Sequence, residues 1–176
     1  MNYMQKIDEL TNKKTRLEMV KEFHELFKLK IGDKPDVENE ELASLRVRLI
    51  DEEFDELMKA LDEYLEHGGK NYLVDVLDAL LDLEYVLLGA VISFGMQDIF
   101  DKAFEEVHRS NMTKLYYYKD QHHFDEEVKS LRNKYGFDLA FEPSKKNVSI
   151  IRRLSDGKVL KPSEYSPAEL KQFISE

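Results

Sequence analysis

Residues 73–91 read LVDVLDALLDLEYVLLGAV, and this stretch decides the fold: nearly every position is apolar, yet Asp75, Asp78 and Asp82 recur at i, i+3 and i+7. At about 100° per residue the three aspartates fall within an arc of roughly 60°, so one carboxylate stripe runs down a helix that is otherwise expected to be buried. Unpaired buried carboxylates become protonated or cost several kcal/mol, and neither this segment nor the acidic one before it contains a run of Lys or Arg to neutralise them. The simplest partner is a divalent cation.

The preceding segment, LIDEEFDELMKAL at 49–61, supplies the other half. On a helical wheel Ile50, Phe54, Leu57 and Leu61 define one apolar face, which is expected to be buried. Glu53 and Glu56 flank that face as neighbours at i and i+3, and Glu52 lies further round with an arm long enough to reach inward. Like charges so placed destabilise a helix unless something positive holds them. Taken alone this is a solvated acidic rim. Facing the aspartate stripe, it is half of an oxygen-rich site of the kind Mg²⁺ or Mn²⁺ prefers.

A chain of 176 residues accommodates one domain with a sizeable core. The formal net charge of −10 and the lack of a basic stripe argue against a nucleic-acid backbone as partner, although a nucleotide remains accessible through a bound cation. With no cysteine there is neither a disulfide scaffold nor a thiolate zinc site, and a reducing cytoplasm is the expected location. The opening MNYMQKIDELTNKK lacks an apolar signal region, and the run from Tyr85 to Phe94 is too short to span a bilayer, so no membrane is expected as partner.

Working outward from the acidic segments, the pattern predicts four helices and a tail. Thr15 with Glu18 forms a capping box for a first helix whose face is Leu17, Val20, Phe23 and Phe27, ending near Gly32. GDKPDVEN at 32–39 is a connection. The second helix runs from about Glu40 to His67 and stops at Gly68 and Gly69, and the third runs from near Asn71 to just before Gly95. A fourth, about Gln97 to Tyr117, is expected to bury Phe100, Phe104 and Val107. Its end carries His108, Asn111 and Leu115 along the same face, with Lys114 at the edge. Either this end frays into water or it faces the carboxylates, where Asn111 reads a base or holds phosphate while His108, Arg109 or Lys114 brings positive charge to a polyanion. After it, HFDEEVKSLRNKYG predicts a short helix through Phe124, Val128, Leu131 and Tyr135, closed by Gly136. FDLAFE and VSIIRRL have strand character, Ser155-Asp156-Gly157 signals a hairpin, and Ser166 with Pro167 and Glu169 signals a C-terminal helix start. The expected arrangement is a helical core over residues 1–117, with residues 118–176 packed on it in the same domain.

These residues resemble a family, the all-α NTP pyrophosphohydrolases of the MazG-like superfamily, whose signature is EExxE on one helix and ExxD on the next. Glu52, Glu53 and Glu56 match the first half. Asp75 and Asp78 match the second, with Asp in place of Glu at the first position. The closer resemblance is to the phosphoribosyl-ATP pyrophosphohydrolase-like branch, through EFHELF at 22–27, RLIDEE at 48–53, VHRSNMTK at 107–114 and DGKVLKPSEYSP at 156–167.

The resemblance implies an all-α bundle with a small β-containing addition, and hydrolysis of a nucleoside triphosphate, (d)NTP, between its α- and β-phosphates, giving a monophosphate and pyrophosphate in nucleotide-pool house-cleaning. Glu53, Glu56, Asp75 and Asp78 are expected to hold Mg²⁺, or Mn²⁺, with Asp82 as a further ligand or behind the ligands. Glu52 is the expected base, with Glu53 sharing the catalytic role. His108, Arg109, Asn111 and Lys114 are expected at the substrate, together with Lys158, Lys161 and Tyr165, for which a solvated hairpin is the plain alternative. Phe23 and His24 join the residues of interest because the match extends to them. The broad apolar helix faces and the resemblance both imply a homodimer or a dimer of dimers. The competing readings are phosphoribosyl-ATP as the substrate, or a non-catalytic helical protein that sequesters a nucleotide or metal.

Overall fold

The computed structural model describes residues 14–174, so the opening segment read above for a signal region lies largely outside the described residues. Two compact units emerge, one ending at Phe100 and one from Asp101 onward.

The first unit is three helices. Helix α1 (Arg16–Leu26) starts at the capping box: Glu18 N–H donates to Thr15 Oγ1 at 3.2 Å, and Thr15 N–H donates to Glu18 Oε2 at 2.7 Å. Helix α2 (Glu40–His67) is capped by Asn39, whose Oδ1 accepts from Leu42 N–H at 2.9 Å, and ends where Gly68 takes φ 62°. Helix α3 (Lys70–Ser93) follows directly and packs along α2. Small residues set the closeness of that pair, because Ala60, Val76 and Ala79 form its buried seam with Leu57 and Tyr64 against it.

At the other end of the pair, Gly89 makes room for two polar side chains. A methyl group there would lie 3.2 Å from both Arg46 Nη1 and His24 Nε2, so any larger residue would press on both. His24 Nδ1 lies 2.9 Å from the Lys30 carbonyl, an arrangement that makes Nδ1–H the donor, and burial with the nearby Arg46 charge lowers its pKa. Arg46 is 6% exposed, and its Nε has no hydrogen-bond partner. It also lies on the face set by Ile50, one turn earlier, where extending the wheel would have found it.

Two burial expectations are corrected. Helix α3 is not enclosed: Leu73, Val74, Leu77, Leu80 and Leu81 are all about half exposed or more, and the three aspartates face outward as well. On α2, Phe54 is 49% exposed and Leu61 is also open, so the apolar face is only partly covered. One chain has one helix pair and too few neighbours to cover both apolar stripes.

The second unit combines two helices and a three-stranded sheet. Helix α4 spans Phe100–Met112 and does not reach Tyr117, because Tyr116–Tyr117 forms β1 and pairs with β3. Phe104, expected in a core, is 65% exposed, while Phe100 and Val107 are half-buried. The residue α4 buries is Ser110, whose hydroxyl is 2.9 Å from Tyr165 OH. Helix α5 (Gln121–Tyr135) is capped by Asp120, and Gly136 stops it as the pattern predicted. Strands β2 (Leu139–Lys145) and β3 (Val148–Arg153) are antiparallel, joined by a tight turn at Lys146 and Asn147, and the sheet order is β1-β3-β2. The core is Tyr116, Leu131, Leu139, Ile151 and Leu160.

The Ser155-Asp156-Gly157 signal is a real turn, with Gly157 at φ 70°, but it leads to a single bridge between Arg152 and Val159 and not to a further strand. Ser166 caps no helix: its N–H donates to Thr113 Oγ1 at 3.0 Å, and among the described residues the only helical turn beyond it is a 3-10 turn, Leu170–Phe173. Side chains of α4 hold this segment, so the preference of Ser-Pro-Ala-Glu for starting a helix gives way to tertiary hydrogen bonds.

Candidate active site and a basic cavity

The antiparallel α2–α3 pair brings the two acidic segments to one groove. Glu56 from α2 and Asp75 and Asp78 from α3 line a single cavity of about 360 Å³, floored by Ala60 and Ala79, with Lys59 and Glu63 at its edge. One turn before Glu56, half-buried Glu53 is held above the ordinary carboxylate range, first by desolvation and then by the charges of Glu56, Asp82 and Glu52. Asp82 thus acts on Glu53 from the opposite helix. The stripe on α3 and the cluster on α2 therefore belong to one electrostatic site. Glu52, Glu56, Asp75, Asp78 and Asp82 are all exposed along it.

Among the described residues, no three Asp, Glu or His side chains are gathered closely enough to hold a metal ion as they stand. The donor chemistry nonetheless suits one: the groove supplies oxygen ligands alone, and desolvation, followed by the neighbouring carboxylate charges, disfavours ionisation of Glu53. Sequence reasoning missed Lys59 and Glu63, which sit one and two turns beyond Glu56 on the same helix.

The remaining candidates lie in the second unit. His108 and Asn111 are exposed on α4, in line with the alternative in which these polar groups meet water. The Asn111 amide is partnered, its Oδ1 accepting from Lys114 Nζ at 2.7 Å. Arg109 is committed to structure: its Nε donates to Glu106 Oε2 at 2.7 Å, and its Nη groups donate to Ser166 Oγ and the Pro167 carbonyl. The Arg109 hydrogen bond, with the Glu169 N–H, lowers the Glu106 pKa to about 2.

Lys114, Lys158 and Lys161 share a cavity of about 310 Å³ with Arg153, floored by Leu139 and Leu160. Arg153 was missed because it lies inside a segment read as a strand. Tyr165 stands beside the cavity, with Lys161 Nζ 4.3 Å from its ring centre, and the Ser110 hydrogen bond followed by the Lys161 charge lowers its pKa. Phe23 on α1 stacks on Phe27 at 4.2 Å and meets Tyr85 edge-on at 5.7 Å, contacts of a packing residue.

A helical bundle whose central pair carries EExxE opposite DxxD defines a class, the MazG-like all-α pyrophosphohydrolases. Within it the chain belongs to the phosphoribosyl-ATP pyrophosphohydrolase family, whose model matches residues 20–111 and so spans the whole acidic groove. No curated protein sequence matches the chain. The DGKVLKPSEYSP stretch of the basic cavity lies beyond the matched residues.

Proposed function

We propose that this pyrophosphohydrolase acts on nucleoside triphosphates with Mg²⁺, splitting the α–β anhydride to give a (deoxy)nucleoside monophosphate and pyrophosphate. The observation that carries the reading is the cavity shared by Glu56, Asp75 and Asp78, inside the family-matched region and beside a Glu53 whose charge is disfavoured. Glu53, Glu56, Asp75 and Asp78 would hold the cation, with Asp82 behind them or as a further ligand. When bound, the cation neutralises phosphate charge and orients the chain. Glu52 is exposed at the groove and takes the proton of the attacking water. The water oxygen bonds to phosphorus, the α–β bridging oxygen leaves with pyrophosphate, and the proton passes to the carboxylate.

The exposed apolar rows of α2 and α3 support a homodimer, or a dimer of dimers, in which a second copy covers them. No described helix is long and apolar enough to cross a membrane, and the absence of cysteine supports a cytoplasmic setting. The family match favours a second reading in which phosphoribosyl-ATP is the substrate.

A panel of nucleoside triphosphates and phosphoribosyl-ATP with Mg²⁺, scored separately for pyrophosphate and orthophosphate, tests both readings. Pyrophosphate from one or more ordinary triphosphates is expected. Pyrophosphate from phosphoribosyl-ATP alone selects the second reading, and orthophosphate as first product or no turnover overturns both.

A further inference from the structure

Among the described residues Arg46 is the one buried Lys or Arg, and nothing in the chain answers its charge. Burial alone moves its pKa, downward, with no carboxylate acting against that shift. Its buried neighbour His24 brings no negative charge either, because the imidazole donates Nδ1–H to the Lys30 carbonyl and keeps Nε2 unprotonated. A desolvated guanidinium without acceptors is costly to the fold, so a partner from outside the described chain is expected.

Helical geometry puts that guanidinium in line with the acidic groove. Arg46 precedes Glu53 by seven residues on α2, and Gly89 follows Asp82 by seven on α3. Seven residues make about two turns and return to within roughly 20° of the same direction, so the lines of Glu53 and Asp82 run on into Arg46 and Gly89, roughly 10 Å further along. Gly89 has no Cβ to stand in the way, since a methyl group there would lie 3.2 Å from Arg46 Nη1.

The ground between is largely apolar. Asp82 and Tyr85 line a cavity of about 210 Å³ between α1 and α3, together with Val20, Leu81 and Leu88. Val20 is one turn before His24 and Leu88 adjoins Gly89, so this cavity leads from the groove toward the residues around the guanidinium. The ring of Tyr85 is 40% exposed beside it.

A ligand matching this order has a cation-binding end, a flat apolar middle and hydrogen-bond acceptors at the far edge, which describes a nucleoside triphosphate with its base in the cavity. We infer that Arg46 is a specificity-determining residue whose guanidinium donates to a ring carbonyl of the substrate's base, which makes the substrate class triphosphates of guanine, cytosine or uracil and not of adenine. The inference rests on the triphosphate reading proposed above and names the bases that reading leaves open. A planar fork of N–H donors suits a carbonyl oxygen, alone or beside a ring nitrogen acceptor. Adenine instead sets an amino group beside both N1 and N7, so donor would face donor.

Binding of α,β-methylene triphosphates, which keep the triphosphate charge and resist cleavage, separates base reading from turnover. Titration calorimetry on the full chain with Mg²⁺ uses the guanosine, uridine and adenosine analogues and tripolyphosphate as probes. The guanosine and uridine analogues are expected to bind at least about tenfold tighter than the adenosine analogue. Arg46→Met replaces the buried charge by an apolar chain of similar length, and should bring the three analogues within about twofold of one another while tripolyphosphate affinity, helical circular dichroism and Tm are retained. Gly89→Ala tests the same contact from the facing helix: alanine favours the helix, so Tm should hold, while its methyl presses on Nη1 and should cut the preference at least about threefold. Selective binding without pyrophosphate release from the natural triphosphates would defeat the proposed reaction and leave this inference standing. Equal binding of guanosine and adenosine analogues by the wild type overturns it, as does a preference that survives Arg46→Met. Equal losses of tripolyphosphate and all three analogues in Arg46→Met also overturn it, because Arg46 would then hold the fold or a second copy and not the base. If Arg46→Met does not fold, Gly89→Ala decides, and an unchanged preference there sinks the inference.

Discussion

The acidic groove of α2 and α3 and the basic cavity around Leu160 are built by opposite means. The groove is written in helical periodicity, with carboxylates at i, i+3 and i+7 on regular helices, and its members come from two contiguous segments. The cavity is assembled from a turn after one helix, the end of a strand and a returning loop, so its members are spread from Lys114 to Lys161 with no period at all. Periodic sites can be seen in a sequence because the backbone geometry is implied by the pattern. Three of the cavity's four cations, Lys114, Lys158 and Lys161, came into view through the family resemblance and none through periodicity, and Arg153 appears only once the chain reversal is known.

The sharpest way to break the comparison is to disarm the groove. Glu56→Ala or Asp78→Ala removes a cavity-lining carboxylate without touching the Ala60–Val76–Ala79 seam. Turnover should fall by about a hundredfold or more in each, with the helical circular-dichroism signal unchanged. Lys59→Gln, at the edge of the same cavity, should cost far less. If both carboxylate variants retain wild-type turnover, the groove is only a solvated acidic face.

Contrast with the groove also shows why parts of the molecule were legible and others were not. The capping box at Thr15, the stops at Gly68 and Gly136, and the ends of α2 depend on a few neighbouring residues, and each is where the sequence places it. Burial is set by distant partners, and there the pattern misled: Leu77 and Leu81 sit on an apolar helix yet stand open. The end of α4 failed for a related reason. Tyr116 has the periodicity to continue a helix, but β3 takes it as a strand partner and the core buries it, its hydroxyl donating to the His123 carbonyl at 3.0 Å. Aromatic residues accept either conformation, so tertiary pairing decides.

A second and smaller effect separates reading the nucleotide from doing chemistry. Asn111 is exposed and its amide holds Lys114, so Asn111→Ala removes one polar contact and frees that lysine. About a tenfold loss in kcat/KM for the best triphosphate is expected, the scale of one or two hydrogen bonds, with metal affinity unchanged. An unchanged kcat/KM would leave Asn111 a solvated residue of α4.

Smaller again is the effect of the cation on stability. Mg²⁺ or Mn²⁺ that binds the folded groove and not the unfolded chain should raise Tm by a few degrees at concentrations about a hundred times Kd. Glu56→Ala should abolish that rise, while Lys158→Gln/Lys161→Gln should leave it intact. Scanning calorimetry with and without EDTA distinguishes the two. Equal stabilisation of wild type and Glu56→Ala would place the cation elsewhere.

The gentlest test uses pH, to which Glu53 of the groove and the Glu106–Arg109 pair of the second unit respond with opposite signs. Glu53 has its folded pKa raised from 4.5, so the folded chain binds the extra proton and stability falls as pH rises from about 4.5 through that raised value. Glu106 has its pKa lowered from 4.5 to about 2 by Arg109 and the Glu169 N–H, so its contribution is present above about 4.5 and is lost as pH falls toward 2. Acidification of the metal-free protein should therefore relieve the groove first and weaken the Glu106–Arg109 clamp later. Both carboxylates are near enough to solvent that each contribution is small. Following the two side-chain carboxyl resonances by NMR reads them separately, with Glu53 expected to titrate above and Glu106 below an ordinary glutamate. Saturating Mg²⁺ should pull Glu53 downward and leave Glu106 where it is, because a cation in the groove favours the ionised form only of the carboxylates around it. A Glu53 that titrates like an exposed glutamate and ignores the metal would mean that Asp82 and Glu56 do not share its field, and the groove would lose its claim to be one site.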